Sequence, residues 1–129
     1  MAQVVRAGEG VFLYEELHDG IGKISVQRYF QGAHPWKMDL EIWELPVGAS
    51  EGAHSHDESE PEYGAMSEVY LLIEGSARMT MDGVTVELGP GDAVLAAPGV
   101  YHDLTNTGSI PLRVLVITDP ATPDDHGAA

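Results

Sequence analysis

The sequence predicts a small all-β protein, and three observations predict it. Short runs of β-branched and aromatic residues recur along the chain, turn-forming glycines and prolines separate them, and no stretch shows convincing helical periodicity. Short strands at this spacing are typical of antiparallel sandwiches and closed barrels, so a jelly roll, an immunoglobulin-like sandwich and a lipocalin-like barrel all remain open. The predicted strands are residues 11–17, 23–30, 37–45, 68–73, 77–81, 84–88, 93–96, 100–105 and 112–118.

Turn signals support these boundaries. The pair Asp82-Gly83 predicts a tight hairpin between two strands, because both residues can adopt the positive φ that such a turn requires. Gly75, Gly91 and Gly99 also stand at strand ends, where a turn often needs φ above zero. We expect these glycines to shape the barrel and to take no part in chemistry.

Length and composition indicate one domain. The chain has 129 residues, 43% of them hydrophobic, which suits one hydrophobic core and leaves no room for two. We expect a single domain over residues 1–118 and a disordered tail over residues 119–129, which are rich in Pro, Asp and Ala. Cysteine is absent, so disulfides and thiolate metal sites are excluded, and any metal must bind nitrogen and oxygen ligands.

The charge is strongly negative. Twenty-one acidic residues stand against six Lys plus Arg, giving a formal net charge of −15. Such a surface repels phosphate backbones and anionic headgroups, so we expect neither a nucleic-acid nor a membrane partner. No apolar run approaches the length needed to cross a bilayer, and the first residues lack the layout of a secretory signal. We therefore expect a cytoplasmic protein.

The pair His54-x-His56 is the first candidate for chemistry. Residues two apart in a strand point to the same face, so both imidazoles could reach one metal ion. Neutral imidazole is a ligand for zinc, iron, nickel, copper and manganese. The alternative is two exposed histidines in a polar loop, and the His-x-His pattern taken alone favours that alternative.

Glu68 and His102 add two further candidate ligands from distant segments. Glu68 opens an apolar strand, where a carboxylate is costly unless it is paired or coordinated, although an exposed strand-edge Glu would also fit. His102 follows a Pro-Gly turn, and it could equally be a core histidine bonded to Asp103. Together the histidines and the carboxylate form an N3O set with open positions, which is common in catalytic metal sites.

The spacing of these residues resembles the cupin superfamily, small single-domain type. The stretch 48–75 resembles the first cupin motif, G-x5-H-x-H-x3,4-E-x6-G, and the stretch 91–106 resembles the second, G-x5-P-x-G-x2-H-x3-N. Pro98 stands directly before Gly99 instead of two residues before it, a small departure. The positions that match are Gly48, His54, His56, Glu68, Gly75, Gly91, Pro98, Gly99, His102 and Asn106.

This resemblance implies a double-stranded β-helix, or jelly-roll barrel, holding one divalent metal ion. It assigns the ligand positions to His54, His56, Glu68 and His102, and it leaves Zn, Fe, Mn and Ni open as the ion. Eleven residues, 57–67, separate His56 from Glu68 where the family has three or four. This acidic insert could form a lid over the pocket or a solvated loop, and it makes Glu60 and Glu62 alternative ligands.

Strand alternation predicts which side chains face the interior. If Glu68 points inward, Tyr70 and Leu72 do too, and Leu104 follows His102 in the same way. Tyr70 is then a candidate proton donor. The outward row of this strand, Val69, Leu71 and Ile73, would need cover by a second sheet or by a partner subunit, and the family's habit of dimerising favours a homodimer.

On the strand 37–45 the more apolar face is predicted to be interior. This places Glu44 near the site as a candidate general base, with a half-exposed strand-end Glu as the alternative. Arg28 on the preceding strand is a candidate polar contact. The candidate pocket residues are Met38, Leu40, Ile42, Leu72, Leu104 and Arg28.

The resemblance leaves two classes of function open. The first is a metal-dependent enzyme acting on a small organic substrate, as a dioxygenase, an isomerase or lyase, or a polyketide cyclase. The second is a non-catalytic cupin module that binds metal and metabolite. One fold serves many chemistries, so the motifs do not identify the substrate.

Overall fold

The computed structural model describes residues 2–56 and 65–121, which form ten strands and one 3₁₀ turn, Leu17–Asp19. Each of the nine predicted strands is confirmed, with ends that differ by a few residues. The strand Ser50–His54 was not predicted separately. The strands are β1 Phe12–Glu15, β2 Lys23–Arg28, β3 Asp39–Leu45, β4 Ser50–His54, β5 Ser67–Glu74, β6 Ala77–Met81, β7 Val84–Leu88, β8 Ala93–Ala96, β9 His102–Asn106 and β10 Leu112–Asp119.

The strands form two antiparallel sheets. One sheet has six strands in the order β1-β2-β3-β10-β5-β8, and the other has four in the order β4-β9-β6-β7. Consecutive strands alternate between sheets from β3 to β6, as expected for the jelly-roll barrel. No helix among residues 2–56 and 65–121 is long and apolar enough to cross a membrane.

The core lies between the sheets and follows the two-residue period of the strands. On β5 the side chains of Glu68, Tyr70 and Leu72 are buried, and on β9 those of His102 and Leu104 are buried. The alternation predicted for both strands is therefore confirmed. Apolar side chains from β2, β3 and β10 complete the core cluster.

The prediction for β3 is wrong. The buried face carries Asp39, Glu41, Trp43 and Leu45, whereas Leu40, Ile42 and Glu44 are only half-buried on the other face, as is Met38 just before the strand. Trp43 and Leu45 bury large apolar surfaces on the inner side. Their acidic neighbours can follow them inward because Arg28 forms ion pairs with both Asp39 and Glu41.

The predicted turn chemistry is confirmed. Asp82 and Gly83 have φ values of 46° and 85° between β6 and β7, as a type I′ hairpin turn requires. Gly75, Gly91 and Gly99 also have positive φ. These glycines set the path of the chain between strands.

The outer face of the six-stranded sheet carries two apolar rows. One row runs across four strands through Ile42, Leu115, Leu71 and Ala93, which are register partners in turn. The parallel row is formed by Leu40, Ile117, Val69 and Leu95. The second sheet does not cover this face, since Leu95 is 65% exposed.

Two glycines allow the 3₁₀ turn to lie directly against β4. A Cβ atom on Gly52 would lie 1.8 Å from the carbonyl oxygen of His18, and one on Gly20 would lie 2.1 Å from that of Ser50. Reciprocal backbone hydrogen bonds between Ile21 and Ser50, at 2.8 and 3.1 Å, hold the two segments together. Any larger side chain would therefore separate the turn from the sheet.

We predict that Gly52→Ala destabilises the fold by at least about 2 kcal/mol, because its methyl group must displace backbone atoms of the turn. Gly89→Ala is the matched control, since Gly89 is outside the left-handed region and a methyl group there would lie 4.0 Å from the nearest atom, on Asp92. The control should change stability by no more than about 0.5 kcal/mol. Urea unfolding of the three proteins measures both values, and equal midpoints would refute the packing argument.

Candidate metal centre

Three imidazoles converge on one carboxylate oxygen inside the barrel. The Nε2 atoms of His56 and His102 both lie 3.1 Å from Oε1 of Glu68, and Nε2 of His54 lies 3.5 Å from the same oxygen. All four residues are buried. The structure thus brings together the four side chains that the motifs single out, although they come from separate segments of the chain.

Strand register explains how these side chains meet. His54 at the end of β4 is the direct cross-strand partner of His102 at the start of β9. His56 follows β4 by two residues. Glu68 comes from β5 of the facing sheet, so the cluster joins the two sheets.

The histidine tautomers direct their lone pairs to the centre of the cluster. Nδ1 of His54 lies 2.8 Å from the carbonyl oxygen of Gly52, and Nδ1 of His102 lies 2.8 Å from that of Val100. A carbonyl only accepts, so each Nδ1 carries the proton and donates it. Nε2, which faces Glu68, is then the atom that either shares a proton with the carboxylate or offers its lone pair to a metal ion.

A cation fits this arrangement. Nε2 of His54 is buried and makes no hydrogen bond within the described part of the chain. It faces carboxylate oxygens of Glu68 at 3.5 Å and Glu51 at 3.4 Å. Lone pairs that face carboxylate oxygens repel one another unless a proton or a metal ion lies between them, and imidazole with carboxylate is a common donor set for divalent transition metals. The cluster could therefore hold a metal ion.

Tyr70 connects the cluster to a second buried carboxylate. Its hydroxyl donates to Oε1 of Glu51 at 2.9 Å and lies 3.2 Å from both Oε2 of Glu68 and Nε2 of His102. Burial, together with the charges of Glu51 and Glu68, raises the pKa of Tyr70 well above its ordinary value. Tyr70 therefore keeps its proton and acts as a donor at the centre.

The two carboxylates titrate in opposite directions. Burial and the neighbouring charge of Glu68 raise the pKa of Glu51 well above its ordinary value. Burial acts in the same sense on Glu68, but the imidazoles of His102, His54 and His56 outweigh it and hold the pKa of Glu68 well below its ordinary value. Glu68 therefore ionises at a lower pH than Glu51.

Glu51 was not predicted, because the alternation of side chains along a regular strand places it on the face opposite to His54. Glu51 and His54 are three residues apart, so a regular strand would point them to opposite faces. A register shift between the two, in the pairing of β4 with β9, turns both side chains inward. A bulge of this kind leaves no clear signal in the sequence.

His18 was also missed. It lies in the 3₁₀ turn with a left-handed φ of 52°, and its ring stacks on that of His54 with centroids 3.8 Å apart and planes 12° apart. Burial and the imidazoles of His54 and His56 lower the pKa of His18 to about 4, so its ring is neutral near pH 7. No motif includes this residue, and only the tertiary fold brings it to the cluster.

A cavity of about 70 Å³ opens beside the cluster. Thr118 presents a buried hydroxyl oxygen that has no hydrogen-bond partner within the described residues. Glu41 is held on the wall by Arg28 and by Nε1 of Trp43 at 2.9 Å, and its burial raises its pKa. The lining residues are Tyr14, Leu17, His18, Glu41, Trp43, Glu51, His56, Met66, Glu68 and Thr118.

Several predicted pocket residues lie elsewhere. Leu72 and Leu104 point inward, as predicted, but they belong to the apolar core and do not line this cavity. Arg28 is not among the residues that line the cavity, but it forms an ion pair with Glu41, which is. The predicted insert, with Glu60 and Glu62, lies mostly in residues 57–64, outside the described residues.

The remaining candidates lie on or near the outer face of β3, away from the site. Glu44 and Ile42 line a separate surface pocket together with Arg113, so Glu44 is not placed to act as a base at the cluster. Leu40 lines a groove with Phe30 and Trp36, and Met38 is half-buried away from the cavity. The cause is that β3 buries the face opposite to the predicted one.

Comparison with known proteins agrees with this fold. The family model of the cupin domain matches residues 41–118. A solved structure from Thermotoga maritima, titled a predicted oxalate decarboxylase, superposes with a TM-score of 0.76 at 24% identity, covering 90% of this chain and 97% of that one. At this identity the likeness shows the fold alone.

Two curated relatives match over 84 residues each. An uncharacterised protein of Methanocaldococcus jannaschii is 33% identical over 65% of this chain and 62% of its own length. The tetracenomycin polyketide synthase protein TcmJ of Streptomyces glaucescens is 34% identical over 60% of this chain and 56% of its own length. The match thus spans less than two thirds of either relative.

Proposed function

Since this chain belongs to the cupin family, we propose that it is a metalloenzyme that binds one divalent ion through His54, His56, Glu68 and His102 and acts on a small organic substrate. The observation that carries the proposal is the convergence of three Nε2 atoms on Oε1 of Glu68. A nitrogen-rich set with one carboxylate suits Zn, Fe, Mn or Ni. When bound, such an ion polarises an oxygen atom of the substrate or supports redox chemistry.

The protein's own groups supply the surroundings of that ion. Tyr70 holds a proton on its hydroxyl 3.2 Å from Glu68 and fixes the orientation of that carboxylate. Tyr14, Trp43 and Met66 give the cavity an apolar wall. On the polar side, Thr118 and Glu41 can exchange hydrogen bonds with a hydroxyl or enol group of a small substrate.

Dioxygenation, isomerisation or lyase chemistry, and polyketide cyclisation are the reaction classes that this proposal includes. All of them need an ion with a vacant position beside an apolar cavity. The name of the Streptomyces relative, a polyketide synthase protein, supports an oxygen-rich aromatic or polyketone substrate. The expectation of a cytoplasmic location remains a prediction.

We predict that the purified protein binds one divalent ion per chain and that His54→Ala and Glu68→Gln lose it, because each removes a central donor. Glu44→Gln is the matched control for Glu68→Gln, since it makes the same chemical change on the outer face of β3. Elemental analysis after dialysis measures the ratio of metal to protein. Full metal content in both His54→Ala and Glu68→Gln would contradict the assignment of the site.

A non-catalytic module that binds metal and metabolite is the second candidate. It is favoured by the presence of His18 and Glu51 beside the four proposed ligands, since additional donors could fill the open side of the ion. A site closed in this way would bind without turnover.

We predict that the iron-loaded protein consumes oxygen with catechol-like or β-diketone compounds if the dioxygenase hypothesis is correct. The control is Tyr70→Phe loaded with the same metal, which keeps the four ligands and removes the proton donor. An oxygen electrode measures the rate. No uptake with iron, together with a zinc preference, would shift the function to a cyclase, an isomerase or a binding module.

We also propose that the protein is a homodimer that pairs the outer apolar rows of two six-stranded sheets. Both rows cross four hydrogen-bonded strands, so they form a continuous apolar surface. Monomeric proteins seldom leave such a surface open to water. The family resemblance favours the same arrangement.

We predict that Leu95→Lys shifts the protein toward monomers, because it places a charge in the proposed interface. Val84→Lys is the control, since Val84 is 64% exposed and Leu95 is 65% exposed, but Val84 lies on β7 of the other sheet. Sedimentation at micromolar concentration measures the molecular mass of each variant. A monomeric wild-type protein would contradict the proposed dimer.

A further inference from the structure

We propose that Nε2 of His18 is a fifth protein ligand to the ion of the cupin site, on the side that faces the cavity. The inference rests on the proposed metal function and concerns a residue outside both cupin motifs. It would also limit the substrate, because five protein ligands would leave a six-coordinate ion only one vacant position. Substrates that bind through one donor atom would fit this site, whereas a bidentate substrate would have to displace His18.

The first support is the distribution of donor atoms. His54, Glu68 and His102 form one group whose ligand atoms all lie within 4.8 Å of one another, and His18, His54 and His56 form another. His54 belongs to both groups. An ion bound to Nε2 of His54 is therefore near His18, and the ring of His18 reaches it by rotating out of its parallel stack on His54, since an imidazole binds a metal in its own plane.

The second support is that His18 is held in place by the fold. The turn that carries it is closed by the hydrogen bond from the Gly20 amide to the Leu17 carbonyl at 2.9 Å. Gly20 and Gly52 bring this turn into backbone contact with β4, the strand that carries His54.

The third support is the position of His18 at the border of the cavity. Its side chain is 32% exposed and Nε2 lies 3.8 Å from the buried Oε2 of Glu51. The ring therefore extends from the solvent-facing side of the cavity toward the buried carboxylates. A ligand here would occupy the open side of an ion that the other four residues hold from within the barrel.

Stacking alone is the competing explanation. The ring of His18 lies nearly parallel to that of His54, so it could act only by orienting His54. That role needs a flat ring and no nitrogen donor. A phenylalanine at position 18 keeps the ring and removes the donor, which separates the two explanations.

The experiment compares wild type with His18→Phe, His18→Gly and Asp19→Gly, using Ni²⁺ alone as the probe. Asp19 has a left-handed φ of 64° in the same turn and is exposed, so its glycine variant controls for backbone flexibility. Competition with a chelator measures the Kd, and X-ray absorption measures the number of bound imidazoles. Circular dichroism of the metal-free proteins verifies that each variant is folded.

We expect four imidazoles in the wild type and three in His18→Phe, with Ni²⁺ binding at least about 10-fold weaker in both His18 variants. Asp19→Gly should match wild type. Three imidazoles in wild type overturn the inference even without the variants. Wild-type affinity in His18→Phe with weaker binding in His18→Gly supports stacking and also overturns it. If wild type binds no metal, the proposed function itself fails, which is a separate result.

Discussion

The burial of an ionised carboxylate, Glu68, is the constraint on which the rest of the site depends. Glu68 is 3% exposed, and an isolated carboxylate in such a place costs far more free energy than a fold of this size can supply. Three imidazoles and the hydroxyl of Tyr70 surround it, and each comes from a strand or loop that must keep its register. The charge of Glu68 thus ties β4, β5 and β9 to one another, and a divalent ion would complete its neutralisation.

The same constraint applies to the whole interior. The described residues bury four carboxylates, Asp39, Glu41, Glu51 and Glu68, on the inner faces of the strands. Arg28 forms ion pairs with Asp39 and Glu41, and Glu51 accepts a hydrogen bond from the hydroxyl of Tyr70. The region around the cavity therefore has a surplus of acceptor groups over cationic side chains. This surplus favours a metal ion or a ligand that brings donors, and it disfavours an anionic ligand that reaches the cavity without a metal to bind.

The sequence predicted the frame of the molecule more successfully than its chemistry. The side chains predicted to face the interior were correct on β5 and β9, because the motifs place Glu68 and His102 on the inward face of these strands. On β3 no motif residue fixes the face, and apolar side chains stand on both sides. Counting hydrophobic residues there favoured Leu40 and Ile42, although the ion pairs of Arg28 make the acidic face the buried one. A pattern in one strand cannot show an ion pair with its neighbour.

Glu51 and His18 were missed for a different reason, which has consequences for function. Both reach the cluster through local irregularity: Glu51 through a register shift in β4, and His18 through a left-handed turn that two glycines press against the same strand. Regular strands can bring only alternate residues to one face, so they limit how many donors a barrel collects at one point. Irregular backbone removes this limit. The motifs describe the ligands that a regular jelly roll can present, and the two irregularities add donors that distinguish this chain's site from that common set.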